Sequence, residues 1–284
     1  MAHPGPHADA FRRSPKLEIA RQFLEAEADM SSGVCELVLG YARSSFMYMV
    51  GGTNEYGNTI DSVEKYDPTL DEWTAVAVMS TKRYGHDVAV LDGMLYVIGG
   101  QTKHDNCYNH LASVEKYDPA RDTWTAVASM GTKRYGLGVA VLDGMLYAVG
   151  GFDEHDNKFA SVEKYNPATN TWLAVAAMGT KRFNLGVAVL DGALYAVGGF
   201  DEHYNRLASV EKYDPATNKW MEVAAMGTPR CTLGVTAMDD ALYAVGGYNH
   251  DGEISSVEKY DPATNTWLAV TSMGTKRYGH VVAS

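Results

Sequence analysis

Five arginines recur at one place in this sequence. Arg83, Arg134, Arg182, Arg230 and Arg277 each close the phrase Met-x-Thr-(Lys/Pro)-Arg, followed by Tyr84, Tyr135, Phe183, Cys231 and Tyr278 respectively. A guanidinium makes bidentate contacts to carboxylate or phosphate and stacks on aromatic rings. Two roles are open for a residue present in every unit: capping strand ends and backbone carbonyls inside the scaffold, or forming a ring that binds anions. A second set follows five double glycines: Thr53, Gln101, Phe152, Phe200 and Tyr248. These residues vary, and their neighbours mix acid, imidazole and aromatic groups, as adaptable binding surfaces do. They are the better candidates for specificity. Among those neighbours, His155 and His203 stand at equivalent places beside Asp153, Glu154, Asp201 and Glu202. Such clusters can hold a metal, but no spacing here matches a closed site. No metal and no cofactor is therefore expected. The sequence has no nucleophile elbow, phosphate-binding glycine loop or catalytic carboxylate pair. It reads as a non-enzyme, with an enzyme or small-ligand binder using the same loops as the alternative.

The elements that position these residues are repeats. Double glycines occur at 51, 99, 150, 198 and 246, with spacings of 48, 51, 48 and 48 residues. Each is followed by a polar loop, a Ser-Val-Glu-Lys-Tyr strand, and a Trp seven residues after the Tyr; this places all five tryptophans: Trp73, Trp124, Trp172, Trp220 and Trp267. The unit after Arg134 predicts four strands. Gly138–Leu142 is nearly all apolar, as in a strand buried on both faces. Asp143-Gly144 is a hairpin turn, and residues 146–149 run up to the double glycine. Residues 160–165 and 171–175 follow, separated by the turn Asn166-Pro-Ala-Thr-Asn170. Four strands per unit without helices describe the blades of an all-β propeller. Each Tyr, Trp and double Gly recurs in every blade and is read as packing.

Composition narrows the class. The 284 residues carry 24 Lys and Arg against 35 Asp and Glu, a formal charge of −11. Such a chain is not a general nucleic-acid or anionic-membrane binder. Its three scattered cysteines, Cys35, Cys107 and Cys231, suit no disulfide framework and point to a reducing, cytoplasmic setting. No apolar run reaches the length of a membrane span, and the N-terminus lacks a secretory core.

Double Gly, Tyr-Asp-Pro with Trp seven residues after the Tyr, then Met-x-x-x-Arg, resembles the kelch repeat. The likeness covers residues 46–284 and is closest in phrasing to the kelch domains of kelch-like (BTB-BACK-kelch) adaptors. The resemblance implies a propeller that binds proteins. The repeated Arg and the residue after the double glycine would then line a pocket for acidic peptide motifs. Substrate recognition for a ubiquitin ligase, or actin association, would be the wider role. Adaptors of this kind usually have six blades and reach a cullin through a BTB domain, which residues 1–45 are too few to hold.

The expected organisation is an extension over 1–45 and a propeller over 46–284. The extension would open without fixed structure to residue 13 and form a helix from Ser14-Pro15 to about residue 29. Five four-stranded blades would be closed by the C-terminal strand, with 277–284 lying innermost in the first blade. Gly33 to Gly40 offers another inner strand but matches the repeat poorly.

Overall fold

A computed structural model describes residues 36–39, 46–104 and 107–280. The expected helix to about residue 29 lies outside them. The protein is a five-bladed β-propeller; each blade is a four-stranded antiparallel sheet whose strands follow one another in chain order. The third blade runs Gly138–Leu142, Met145–Val149, Val162–Asn166 and Thr171–Val175. No helix among the described residues is long and apolar enough to cross a membrane.

Local chemistry sets the blade. Asp143 and Gly144 adopt φ of 51° and 70°, the left-handed pair that a two-residue hairpin needs between strands of right-handed twist. The double glycine serves a different purpose. At Gly150 φ is +66°, and an added Cβ would sit 2.3 Å from the Arg182 carbonyl oxygen. The Arg-bearing loop crosses the strand end there, and Gly151 N donates to Arg182 O at 2.8 Å. Glycine is thus required by close backbone approach as well as by conformation.

The core lies between blades. Four apolar clusters each join consecutive blades, and the cluster between the second and third brings Tyr96, Ile98 and Met130 against Leu137, Leu146 and Tyr165. Polar latches repeat at the same junctions. Trp172 Nε1 donates to Ala128 O at 2.8 Å, and Ala128 N donates to Asn170 Oδ1 at 2.8 Å. The same pair of bonds ties Ala77 to Trp124 and Asp122, Ala176 to Trp220 and Asn218, and Ala224 to Trp267 and Asn265. Nearest-neighbour interfaces of this kind carry the stability of repeat proteins.

Two expectations change. The innermost strand of the first blade is Glu36–Leu39, not 277–284; it pairs antiparallel with Met47–Val50, Leu39 opposite Met47. The propeller therefore takes a strand from ahead of residue 46. A partner close in sequence closes a hairpin at little entropic cost, whereas a strand from the far terminus must be brought across the whole array. Residues 281–284 lie outside the described residues. Residues 277–280 lie beside the fifth blade, where Gly279 N donates to Thr232 O at 2.8 Å.

Candidate functional site

The repeated arginines point inward to the next blade. Arg83, Arg134, Arg182 and Arg230 are wholly buried, with 0% exposure. Arg182 is representative: Nη1 donates to Gly198 O at 3.0 Å and Ser209 O at 2.9 Å, and Nη2 to Ser209 Oγ at 2.8 Å and Glu211 at 3.0 Å. Arg83, Arg134 and Arg230 make the same contacts to Glu115, Glu163 and Glu258 in the blade that follows each. In the second to fifth blades the Glu of the Ser-Val-Glu-Lys-Tyr strand is the receptor for the Arg one blade earlier. This corrects the reading of these four as an exposed anion-binding circle; they satisfy carbonyls and carboxylates inside the scaffold. Arg277 is half-buried. Burial lowers the pKa of the Arg182 guanidinium, and Glu211 opposes that shift.

What the loops carry at one end of the axis is a half-buried aromatic belt, with Phe183 buried within it and Tyr278 exposed. The residue after each Arg pairs by a backbone bridge with the residue after a double glycine: Tyr84 with Gln101, Tyr135 with Phe152, Phe183 with Phe200, Cys231 with Tyr248. The rings then run on from blade to blade. Tyr84 meets Tyr135 at 5.7 Å, Tyr135 meets Phe152 at 5.2 Å, Phe152 meets Phe183 at 4.9 Å, and Phe183 stacks on Phe200 at 5.1 Å. Tyr248 and Tyr278 continue the belt at 5.7 Å. Between Phe200 and Tyr248 stands the guanidinium of Arg206, 5.4 Å from one ring and 5.2 Å from the other. Such contacts are worth about 0.5–2 kcal/mol each, more as water is excluded.

Arg206 belongs to a set that sequence reasoning missed. Opposite each post-glycine residue sits one side chain of the returning strand: Thr59, His110, Lys158, Arg206 and Glu253 face Thr53, Gln101, Phe152, Phe200 and Tyr248. The position therefore holds a hydroxyl, an imidazole, an ammonium, a guanidinium and a carboxylate. It had a signal, because each of these residues directly precedes the apolar residue that leads into the third strand: Ile60, Leu111, Phe159, Leu207 and Ile254. Wide variation at one place in near-identical repeats marks a position the scaffold does not constrain.

The electrostatics single out one of these groups. Lys158 is buried, pairs with Asp156, and donates to Tyr204 Oη at 3.2 Å; the Lys158 ammonium beside Asp156 holds that carboxyl below its usual range. His110 stacks on Tyr135 at 5.4 Å and lies 3.1 Å from Phe152 O through Nδ1, and burial lowers its pKa. On the rim, Lys133 pairs with Glu154 at 2.8 Å and Lys181 with Glu202 at 2.5 Å. Arg206 forms no ion pair with any described residue, and its Nε is buried without a hydrogen-bond partner.

The predicted histidines lie apart from this belt. His155 and His203 are exposed, and their backbone amides donate to Asp153 and Asp201, whose carboxylates fold the loops. Among the described residues no three His, Cys, Asp or Glu side chains gather where a metal ion would be held.

Comparison with known proteins follows the same lines. A family profile described as the KLHDC2/KLHL20/DRC7 Kelch-repeats domain matches residues 35–232 and again residues 85–284. Human Kelch-like protein 28 is 41% identical over 114 residues, which are 37% of this chain and 19% of that protein. Zebrafish Kelch-like ECH-associated protein 1A is 42% identical over 108 residues, 38% of this chain and 18% of that protein. Human Kelch-like protein 26 is 31% identical over 153 residues, 52% of this chain and 22% of that protein. The chain thus spans about a fifth of the length of the curated relatives it matches. The solved structure of YjhT superposes with a TM-score of 0.75 at 17% identity, covering 88% of this chain and 86% of that one. At that identity the likeness concerns the fold.

Proposed function

The chain belongs to the kelch-repeat family, and from that premise we propose that it is a protein-interaction module that captures a peptide with an acidic side chain at its aromatic mouth. One observation carries the reading. Arg206 is held between Phe200 and Tyr248 and has no carboxylate partner among the described residues, on a protein whose formal charge is −11. A guanidinium fixed between two rings has already lost much of its side-chain entropy, so a carboxylate meets it preorganised. The belt from Tyr84 to Phe200 supplies rigid apolar area for the rest of the peptide. Glu253, across from Tyr248, sets an opposite charge at the far side and favours one peptide direction. The buried arginines support the site from beneath. In a ubiquitin-ligase adaptor this mouth would recognise the substrate, and segments outside the matched region would hold the ligase.

The test is selection from a random peptide display library on the purified chain, with Arg206→Gln and Phe200→Ala variants of matched melting temperature in parallel. An Asp- or Glu-bearing consensus that the chain enriches and both variants lose supports the proposal. A consensus without acid, or one retained by Arg206→Gln, overturns the acidic assignment. No enrichment above a blank surface overturns the peptide-capture reading.

A further inference from the structure

We propose that Lys158 is a second cation subsite of the mouth, masked in the free protein by a clasp of Asp156 and Tyr204, and that a peptide with a second acidic side chain opens the clasp by taking the place of the Asp156 carboxylate. The subsite rests on the assignment of the mouth to acidic peptides. Two neighbouring loops carry the contrast. Asp153-Glu-His-Asp-Asn-Lys158 in the third blade and Asp201-Glu-His-Tyr-Asn-Arg206 in the fourth differ at two places only. One is the cation itself, Lys158 or Arg206. The other is the residue two positions before it, Asp156 or Tyr204. The first Asp folds both loops in the same way. The third-blade loop thus carries a carboxylate for its cation, and the fourth-blade loop carries a phenol in that place.

The phenol is used across the blade junction. Tyr204 Oη donates to Asp156 Oδ1 at 2.8 Å, and Lys158 Nζ donates to Tyr204 Oη at 3.2 Å while pairing with Asp156. The Tyr204 ring covers the ammonium, its centroid 4.2 Å from Nζ, and packs edge-on against Phe183 at 5.3 Å. The Lys158 side chain is 5% exposed as a result, whereas Arg206 at the equivalent place is half-buried. The cover itself lies in solvent: Tyr204 is 51% exposed and the Asp156 side chain 58%. Tyr204 and Asp156 both sit in the left-handed region, at φ 62° and 65°. A bulky residue seldom adopts that conformation. Tyr204 is held there by Asp156, Lys158 and Phe183, and its release relieves strain.

Exchange suits this arrangement better than simple opening. A buried ammonium left without its carboxylate is costly, but replacing one carboxylate by another keeps Lys158 paired and returns Asp156 to water. Arg206 and Lys158 flank the stacked rings of Phe200 and Phe183. The first acidic side chain lands on Arg206, and the second reaches Lys158 along the belt. Asp156 competes as an intramolecular group at high effective concentration, so a peptide with one acidic side chain leaves the clasp shut.

The experiment measures binding of fluorescein-labelled octaglutamate by anisotropy, and labelling of the Lys158 amine by an acetylating succinimidyl ester with mass spectrometry as the readout. Asp156→Asn removes the charge and tolerates the left-handed φ. Tyr204→Phe removes only the hydroxyl that ties the clasp, and carries the test if Asp156→Asn fails to fold. Glu55→Gln, at an exposed site in the first blade's loop, matches the change in net charge. Asp156→Asn should tighten octaglutamate binding about tenfold, Tyr204→Phe by less, and Glu55→Gln not at all. Adding Lys158→Gln to Asp156→Asn should return the parent affinity. Lys158 should label slowly in the parent and several-fold faster in both clasp variants. No gain in affinity, a gain that Glu55→Gln matches or Lys158→Gln leaves in place, or labelling as slow as in the parent overturns the clasp; octaglutamate binding that Arg206→Gln weakens then leaves the acidic reading standing. Octaglutamate that binds neither parent nor variants, or binds Arg206→Gln as well as the parent, overturns both.

Discussion

Arg182 in the third blade's exit loop and Glu211 in the fourth blade's third strand meet at 3.0 Å, with side-chain exposures of 0% and 2%. Two backbone amides and the guanidinium converge on that one carboxylate: Gly179 N at 2.6 Å, Thr180 N at 3.1 Å and Arg182 Nε at 3.2 Å all reach Glu211. The loop that carries the mouth aromatics is pinned to the next blade by this contact. Phe183 follows Arg182 directly in sequence and is 3% exposed, so the buried ring that joins Phe152 to Phe200 in the belt is set by the ion pair beneath it.

Arg182→Ala leaves Glu211 buried without its cation. Removing one partner of such a pair costs about 3–5 kcal/mol, and urea titration should show that loss with the m-value retained. Lys181→Ala, one residue away, removes a rim pair whose side chains are 47% and 48% exposed. Its cost should stay within about 1 kcal/mol. Equal losses for both variants would refute the assignment of Arg182 to the scaffold.

Asn170 combines three demands. It sits at φ 52°, and its Oδ1 accepts from Ala128 N across the junction and from Tyr165 Oη within the blade. Asn170→Ala strains a left-handed residue and removes both acceptors, with an expected loss of about 2–3 kcal/mol. Asn170→Asp should be tolerated, because Asp122 makes the equivalent bonds in the second blade. Melting of the two variants checks the contrast.

Asp87 stands where the third to fifth blades have Gly138, Gly186 and Gly234. Its carboxylate accepts from Val88 N at 2.8 Å and from Val139 N of the next blade at 2.6 Å. Desolvation nevertheless pushes its pKa up to about 7. A raised acid pKa means the folded state holds the proton more tightly. This contribution is full below the ordinary value near 3.8 and is lost as pH rises through about 7. His86 works in the opposite sense: burial lowers it to about 3, so its contribution is full above about 6.5 and lost as pH falls. Asp87 therefore governs this pair of effects between pH 6.5 and 8. Asp87→Asn should flatten the fall in melting temperature over that interval; an unchanged slope would rule the group out.

At the mouth, Arg206→Gln should weaken a selected acidic peptide by about tenfold, equivalent to about 1.4 kcal/mol, without lowering the melting temperature. Raising salt from 0.05 to 0.5 M should weaken the parent more than the variant, since screening acts on the charge that Gln lacks. Fluorescence anisotropy with the labelled peptide measures both.

Much of the architecture was legible because the repeats police each other. Residues 171–175 and 138–142 are strands with the predicted ends, and the Asp143-Gly144 turn has the predicted handedness. The direction of the arginines was not legible from their spacing. An Arg and a Glu in every repeat suggest one-to-one pairing, but only the stacking of blades shows that the partner lies about 30 residues downstream in the next unit. Lys158 and Arg206 escaped notice because a strand return fixes which residue faces the double-glycine loop, and its register depends on loop length. Glu36–Leu39 was hard to prefer because, with Glu-Leu-Val-Leu, it lacks the small Gly and Ala that stand in the inner strands Gly138–Leu142 and Gly186–Leu190.

The Arg–Glu latch always points from one blade to the next, and this gives synthesis a direction. Arg182 leaves the ribosome 29 residues before Glu211. At about 5–20 residues per second, that is a delay of roughly 1.5–6 s. During it the guanidinium and the ring of Phe183 have no socket. Each blade is therefore finished by translation of its successor, and a pause within a third strand holds the preceding aromatic loop open to chaperones.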